Sequence, residues 1–171
     1  TSVPLTSSDI TDGIISTAKI ADDAVTAAKA AFAPGKVLQV VQSSLTSQSS
    51  STTSTSFTAT GLNVNITPSS TSSKILIRYD LSNYSISGNH TTTATLYRAS
   101  TNLGDADNGM SWGYTNTVHG YPLGASFLDT PSSTSQLTYE VYIKTNGGTL
   151  WIGGGESRDT NNFITAMEIA G

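Results

Sequence analysis

One irregular part of the sequence concentrates side chains that suit the binding of sugars. They are Trp112, Tyr114, His119 and Tyr121, with Asn108 and Asn116 beside them. Aromatic faces stack on sugar rings, and a few polar groups at such a site supply hydrogen bonds. This set therefore predicts a glycan-binding site on a loop-rich segment. The other interpretation is that Trp112 and Tyr121 belong to the core or to an interface between subunits.

The sequence contains no catalytic motif of the G-x-S-x-G, H-E-x-x-H or phosphate-loop type. His90 and His119 are its two histidines, and serine is too common for a Ser-His-Asp triad to be recognised by counting. We interpret His90, which follows Gly88 and Asn89, as a polar residue in a turn. The sequence therefore predicts a protein without enzymatic activity and without a cofactor.

The segment 105–109 (DADNG) begins like a calcium-binding loop. A complete loop needs Gly at position 110 and Glu at position 116, where Met110 and Asn116 stand. We therefore expect an exposed acidic turn and no metal site. The run 153–155 is three glycines without a following helix N-terminus, and it fits a flexible hairpin loop better than an anion cradle.

Length and composition set the class of protein. A chain of 171 residues with a formal charge of −4 is long enough for one sizeable domain and an appendage. Charged residues are only 12%, while 15 glycines and many hydroxyl residues favour an all-β body with an uncharged polar surface. The absence of cysteine excludes disulfides and thiolate metal sites.

Two classes of partner are disfavoured by the same composition. The eight basic residues are scattered, which argues against a nucleic-acid groove. No apolar run approaches the ~20 residues needed to span a bilayer, so we expect no insertion into membranes.

Residues 11–30 form an internal repeat of two decamers, TDGIISTAKI and ADDAVTAAKA, which align without a gap. Each decamer has turn residues, a β-branched apolar residue (Ile15 or Val25), a hydroxyl N-cap and about one turn of helix formers. Helices this short are not stable alone, so other copies of the chain must supply the missing surface. The repeat predicts a helical stalk that follows a polar N-terminal lead at 1–9; lead and stalk together span residues 1–35 and are ended by an Ala-Pro-Gly break.

Residues 36–171 carry the alternation of apolar and polar residues that is typical of strands. We predict strands at 37–42, 62–66, 75–81, 92–98, 137–143, 149–152 and 163–170, with a weak one near 112–118. The segment 43–56 is predicted as a polar loop or edge strand, and the rest of 102–124 as loops. Asn146-Gly147-Gly148 predicts a hairpin. Short, regularly spaced strands predict a β-sandwich or jelly-roll head.

Several stretches resemble the distal part of phage fibre proteins of the marine and cyanobacterial type. They are DGIISTAKIADDAVTAAKA, GKVLQVVQ, TSFTATGLNVNITPSSTSSKILI and FITAMEIAG. The resemblance covers nearly the whole chain and is most specific over Gly35–Ile77 and Phe163–Gly171. It implies a homotrimeric helical stalk, a head similar to the trimeric jelly rolls of tumour-necrosis-factor and C1q proteins, and attachment to a cell or a capsid. It fixes no ligand-binding motif.

The residues themselves also point to a homotrimer. The stalk needs neighbouring chains, and the last strand is apolar on both faces, as a strand against a partner subunit would be. Three-fold closure is a common cyclic symmetry. The candidates for the trimer interface are Ile15, Ile20, Val25, Val37, Val41, Ile164 and Ala166.

Three functions fit these observations. The first is the receptor-binding head of a phage fibre, which contacts host surface polysaccharide or a protein receptor. The second is a capsid head fibre or decoration protein that docks on capsid or tail proteins through its N-terminal stalk. The third is a secreted C1q-like binding module, against which the stalk decamers and the missing cysteines count. We expect a location on the virion and, since the chain starts at Thr1, an anchor that precedes this sequence.

Overall fold

The computed structural model of the chain describes residues 35–46, 50–85, 89–116, 119–153 and 161–171, with the backbone alone at 83–85, 115 and 119. The chain divides into units 1–33 and 34–171, and the described residues belong to the second. The predicted stalk, with Ile15, Ile20 and Val25, lies outside the described residues. Every regular element in the described ranges is a strand. None of these ranges holds a helix long and apolar enough to cross a membrane.

The described residues contain eleven strands, all paired in antiparallel fashion. They are β1 (Val37–Leu45), β2 (Ser50–Thr52), β3 (Thr58–Ile66), β4 (Lys74–Ser85), β5 (His90–Arg98), β6 (Thr101–Asn102), β7 (Ser111–Thr115), β8 (His119–Asp129), β9 (Leu137–Thr145), β10 (Leu150–Ile152) and β11 (Asn162–Ile169).

The strands form two sheets. In sheet I the order is β1-β11-β4-β8, and the short strands β2 and β10 lie beyond the ends of β1 and β11. In sheet II the order is β3-β9-β5, and both β6 and β7 pair with the far edge of β5. The twelve-residue β4 and the nine-residue β5 are therefore the central strands on which each sheet is assembled.

One apolar core lies between the inner faces of the two sheets. Sheet I contributes Ile75, Ile77, Tyr79, Leu81, Ile164 and Ala166, and sheet II contributes Leu62, Val64, Leu96, Tyr139, Val141 and Ile143. None of these side chains is more than 4% exposed. Two antiparallel sheets that bury one face each against the other form a β-sandwich. The described part of the chain is all-β, as predicted.

Polar side chains also join the two sheets across the core. The Asp129 carboxylate in β8 accepts hydrogen bonds from Arg98 Nη1 and Tyr139 Oη, both at 2.6 Å. Burial and this carboxylate raise the pKa of the Tyr139 phenol. The Tyr79 hydroxyl of sheet I lies 2.8 Å from Ser111 Oγ of sheet II, and burial raises the pKa of Tyr79 to about 12. These buried polar groups are thus satisfied by partners in the opposite sheet.

The predicted hairpin at Asn146-Gly147-Gly148 is wrong. The strand before it, β9, pairs with β3 and β5 in sheet II, whereas β10 after it pairs with β2 and β4 in sheet I. The Asn-Gly-Gly turn therefore carries the chain from one sheet to the other. Leu150 and Ile152, which follow it, are both fully buried in the core.

The prediction that 102–124 is mainly loop is also wrong, because β8 begins at His119 and pairs with β4 along eleven residues. Its outward positions include Gly120, Pro122 and Gly124, which are residues that strands usually lack. Pro122 is tolerated since β8 is an edge strand, with β4 as its one partner among the described strands.

Two of the predicted interface residues face the core instead. Ile164 and Ala166 have no exposed surface, so they cannot contact another subunit. Because side chains alternate along a strand, the outer face of β11 presents Phe163, Thr165 and Met167, which are half-buried. In β1 the half-buried Val41 packs against the core, whereas Val37 is exposed, because an irregularity of the register between Val37 and Gln39 interrupts the alternation.

Candidate functional site

Two aromatic residues of the predicted site stand out from the surface on β7. Trp112 is 64% exposed and Tyr114 is 60% exposed, and they lie on one face of the strand because they are two residues apart. Gly113 between them faces inward, where a Cβ atom would collide with the ring of Tyr121. The Tyr121 hydroxyl bonds to Thr92 Oγ1 in the core layer. Tyr121 is thus a packing residue, whereas Trp112 and Tyr114 face solvent in the protomer.

Strand pairing fixes the neighbours of these aromatic residues on the outer face of sheet II. Trp112 pairs with Thr93, and Thr93 pairs on its other side with Lys144 of β9. Tyr114 pairs with Thr91. Paired residues of antiparallel strands project from the same face of the sheet. The register therefore aligns an indole, a hydroxyl and an ammonium group across three strands.

A pocket of about 240 Å³ opens on this face of sheet II. It is lined by Thr55, Thr91, Thr93, Asp107, Asn108, Lys144, Thr145 and Asn146. The lining consists of hydroxyl and amide groups with one carboxylate and one ammonium. Asn108 is the predicted site residue that lines the pocket, and the aromatic pair borders it through Thr91 and Thr93.

The turn at 105–109 places Asp107 and Asn108 at the pocket. Asp105 Oδ1 accepts the backbone N–H groups of Asn108 at 2.6 Å and Asp107 at 3.0 Å, which lowers the pKa of Asp105. Gly109 closes the turn with φ of +60°, and a Cβ there would lie 2.6 Å from the Ala94 carbonyl oxygen. Glycine thus allows the turn to lie directly on β5.

Residues 105–108 of the turn are exposed, as predicted for an acidic turn whose sequence lacks two residues of a complete calcium-binding loop. The Asp105 carboxylate already accepts hydrogen bonds from two backbone N–H groups of the turn. Among the described residues there is no group of three or more His, Asp or Glu side chains that could hold a metal ion.

The opposite rim of the pocket is fixed by reciprocal hydrogen bonds between β5 and the end of β9. The Thr91 N–H donates to Asn146 Oδ1 at 2.6 Å, and the Asn146 N–H donates to the Thr91 carbonyl at 3.1 Å. The Thr145 N–H donates to the Ser54 carbonyl at 2.9 Å. These hydrogen bonds therefore fix the orientation of Asn146 in the ligand-free protein.

Three further aromatic side chains form a cluster beside Lys144. Tyr97 and Tyr142 stack with their ring centroids 4.0 Å apart, and Phe57 meets Tyr97 edge-on at 6.4 Å. Lys144 Nζ lies 4.6 Å from the centre of the Phe57 ring. This cation–π contact holds the ammonium group on the outer face of sheet II.

The remaining predicted residues lie elsewhere. Asn116 is exposed just after β7, and the side chain of His119 is outside the described residues. The interpretation of His90 as a turn residue is wrong, since His90 is the first residue of β5 and is 1% exposed. It shares the inward face of β5 with Thr92 and Ala94, two and four residues further on.

Sequence reasoning missed seven of the eight residues that line the pocket, among them Lys144, Asp107 and Asn146. The alternation of β9 places Lys144 on the outer face, but no local pattern shows that β9 pairs with β5. No protein-family model matches the chain, and no curated protein matches its sequence. Its function must therefore be inferred from its own residues.

Proposed function

We propose that the chain is a non-enzymatic, homotrimeric phage fibre protein whose head attaches the virion to a glycan or a protein on the host surface. The exposed pair Trp112 and Tyr114, beside a polar pocket, carries this proposal. Neighbouring exposed aromatic residues give up little conformational entropy and bury a large area when they bind, which suits a recognition surface.

The trimer is supported by an apolar stripe across the outer face of sheet I. Strand register aligns Val40 with Met167, Met167 with Leu76, and Leu76 with Leu128. Val40 is 56% exposed and Leu128 is 49% exposed. One apolar side chain from each of four adjacent strands makes a contiguous patch, which is typical of a surface that binds another protein.

The position of the stripe favours another copy of the same chain as its partner. Val37 and Leu38, also exposed, extend it towards the start of β1. On the other side of the stripe, two residues further along each strand, the aligned residues of the same face are polar. They are Gln42, Thr165, Arg78 and Ser126. Every copy of the chain carries the same apolar stripe, so the copies of a homotrimer could cover one another's stripes.

The strand order supports the jelly-roll form of the sandwich. Numbering the eight principal strands β1, β3, β4, β5, β7, β8, β9 and β11 from one to eight gives 1-8-3-6 in sheet I and 2-7-4-5 in sheet II. A jelly roll, which consists of two Greek keys, has its eight strands in this order. This topology agrees with the head that the resemblance to phage fibres implies.

The homotrimer is tested by light scattering of the full chain at micromolar concentration. We expect about three times the chain mass of 17.8 kDa. Leu128→Lys should lower the mass towards that of one chain, because it places a charge in the stripe. Ser126→Lys is the matched control, since it adds the same charge on the same face of β8 in the polar row. A mass of one chain for the unmodified protein would refute the trimer.

Attachment is tested by labelling particles of the virus that encodes the chain with gold-tagged antibody. Label at the tips of tail fibres would support the receptor-binding head. Label over the capsid would indicate a head fibre or decoration protein instead, and unlabelled particles would contradict both.

A further inference from the structure

The side chains that line the pocket on sheet II indicate which class of ligand it would bind. We propose that it binds one uncharged hexopyranose unit of a host surface polysaccharide, with Trp112 as the stacking platform for the adjoining unit. This inference rests on the attachment function proposed above and identifies its ligand.

The charges of the pocket favour an uncharged ligand. Its lining has one carboxylate, at Asp107, and one ammonium group, at Lys144. Asp107 would repel an anionic sugar and Lys144 would repel a cationic one, and each repulsion would offset the attraction of the other group. A charged sugar would therefore gain no net attraction. A sugar hydroxyl both donates and accepts hydrogen bonds. It can therefore use the carboxylate and the ammonium group together.

The neutral groups of the pocket suit the same ligand. Thr91 and Thr93 bring hydroxyl groups, and Asn108 and Asn146 bring amides. Each of these side chains contains both donor and acceptor functions, as does every sugar hydroxyl. The hydrogen bonds across the rim hold Thr91 and Asn146 together. Such a preorganised rim lowers the entropy cost of binding.

The size and surroundings of the pocket favour one unit of a polymer. Its volume of about 240 Å³ is below the ~300–1,000 Å³ of pockets that enclose drug-sized ligands. Trp112 lies on the strand next to Thr93, about 5 Å away across the sheet. A polymer that runs across the strands would place one ring in the pocket and the next on the indole face.

A peptide ligand fits these groups less well. Protein interfaces have an apolar centre that excludes water and a polar rim. Here the concave centre is polar and the large aromatic residues, Trp112 and Tyr114, stand at its side. This arrangement favours a saccharide.

The proposal is tested by affinity electrophoresis of the full chain through gels that contain a defined polysaccharide. Dextran, mannan and galactan are the uncharged probes, alginate is the anionic probe, and chitosan oligomers are the cationic probe. We expect at least one uncharged polysaccharide to retard the protein more than alginate or chitosan does. Stronger retardation by a charged probe would overturn the uncharged class.

Variants locate the binding in the pocket. Asn108→Ala should weaken binding about tenfold through lost hydrogen bonds, and Trp112→Ala should weaken it by at least as much. Thr93→Val removes a lining hydroxyl with little change of shape, so it gives a second test if Asn108→Ala perturbs the turn. Asn65→Ala is the matched control. Asn65 is exposed on the same face, and its partner Thr138 lies about 20 Å along β9 from Lys144.

The failure of this inference can be told apart from failure of the attachment function. If the trimer binds host cells and Trp112→Ala abolishes that binding, attachment stands. Unchanged binding in both Asn108→Ala and Thr93→Val, or no retardation by any uncharged probe, would then overturn the sugar pocket and indicate a protein receptor. If the trimer does not bind host cells and no polysaccharide retards it, both proposals are overturned.

Discussion

Glu168, near the end of the last strand, is 1% exposed and should make the head sensitive to acid. Its Oε1 accepts hydrogen bonds from the Ser69 N–H at 2.7 Å, the Ser69 hydroxyl at 2.6 Å and the Ser73 hydroxyl at 2.7 Å. Its Oε2 accepts one from Gln39 Nε2 at 2.6 Å. Burial alone would raise the pKa of Glu168, but these hydrogen bonds outweigh burial and lower the pKa to about 2.

The lowered pKa has a definite consequence for stability. A carboxyl group whose pKa is lower in the folded than in the unfolded state stabilises the fold above its unfolded pKa. That stability is lost as the pH falls through the folded pKa. Each pKa unit is equivalent to about 1.4 kcal/mol, so the displacement from 4.5 to about 2 corresponds to about 3 kcal/mol. The loss should begin near pH 4.5 and continue to pH 2.

Glu168→Gln removes the charge and keeps the side-chain size. We expect its free energy of unfolding at pH 7 to be about 3 kcal/mol lower than that of the native chain, and the difference to shrink between pH 4.5 and 2. Urea unfolding should be followed at one fixed chain concentration, because assembly into the proposed trimer would make stability concentration-dependent. Glu140→Gln is the control, since Glu140 accepts one exposed hydrogen bond, from the Gly61 N–H at 3.0 Å. A difference that stays constant with pH would refute the role of the Glu168 charge.

Three other substitutions test how the two sheets are held together. Asp129→Ala removes the acceptor of the buried Tyr139 hydroxyl and of the partly exposed Arg98 guanidinium in the opposite sheet, and it should cost about 3 kcal/mol in urea unfolding. A cost below about 1 kcal/mol would show that these hydrogen bonds do not hold the sheets together. Gly113→Ala adds a Cβ against the Tyr121 ring and should cost about 1–3 kcal/mol, seen as a lower Tm. Tyr79→Phe removes the hydroxyl that is hydrogen-bonded to Ser111 and should lower the free energy of unfolding by about 1 kcal/mol. An unchanged Tm would show that this hydrogen bond does not stabilise the fold.

Most strands could be predicted from the sequence, because the alternation that identifies them is local. The positions 75, 77, 79 and 81 of β4 and 139, 141 and 143 of β9 follow period two and are all buried. Each inward position is recognisable from its nearest sequence neighbours alone. By contrast, β8 was missed since its outward positions hold glycine and proline.

Pairing between distant strands could not be predicted in the same way. The alternation of β11 shows that both of its faces are apolar, but it does not show which face packs against the core. Ile164 and Ala166, predicted at the subunit interface, lie on the core face. The Asn-Gly-Gly turn has the local chemistry of a hairpin, and only the pairing of β10 with β4 shows that it changes sheets. The pocket combines residues from four segments of the chain, so no single stretch of sequence contains it.

The two outer faces of the sandwich have different chemistry, as the proposed assembly through one face and the proposed binding through the other require. Sheet I presents the apolar row from Val40 to Leu128, whereas sheet II presents hydroxyl, amide and aromatic groups around Thr93. In a sandwich these faces point in opposite directions. A trimer closed through sheet I would therefore leave the sheet II pocket of every copy facing outward. Three outward pockets on one such head would multiply weak contacts with a repeating polysaccharide, because each bound unit would raise the effective concentration of the next.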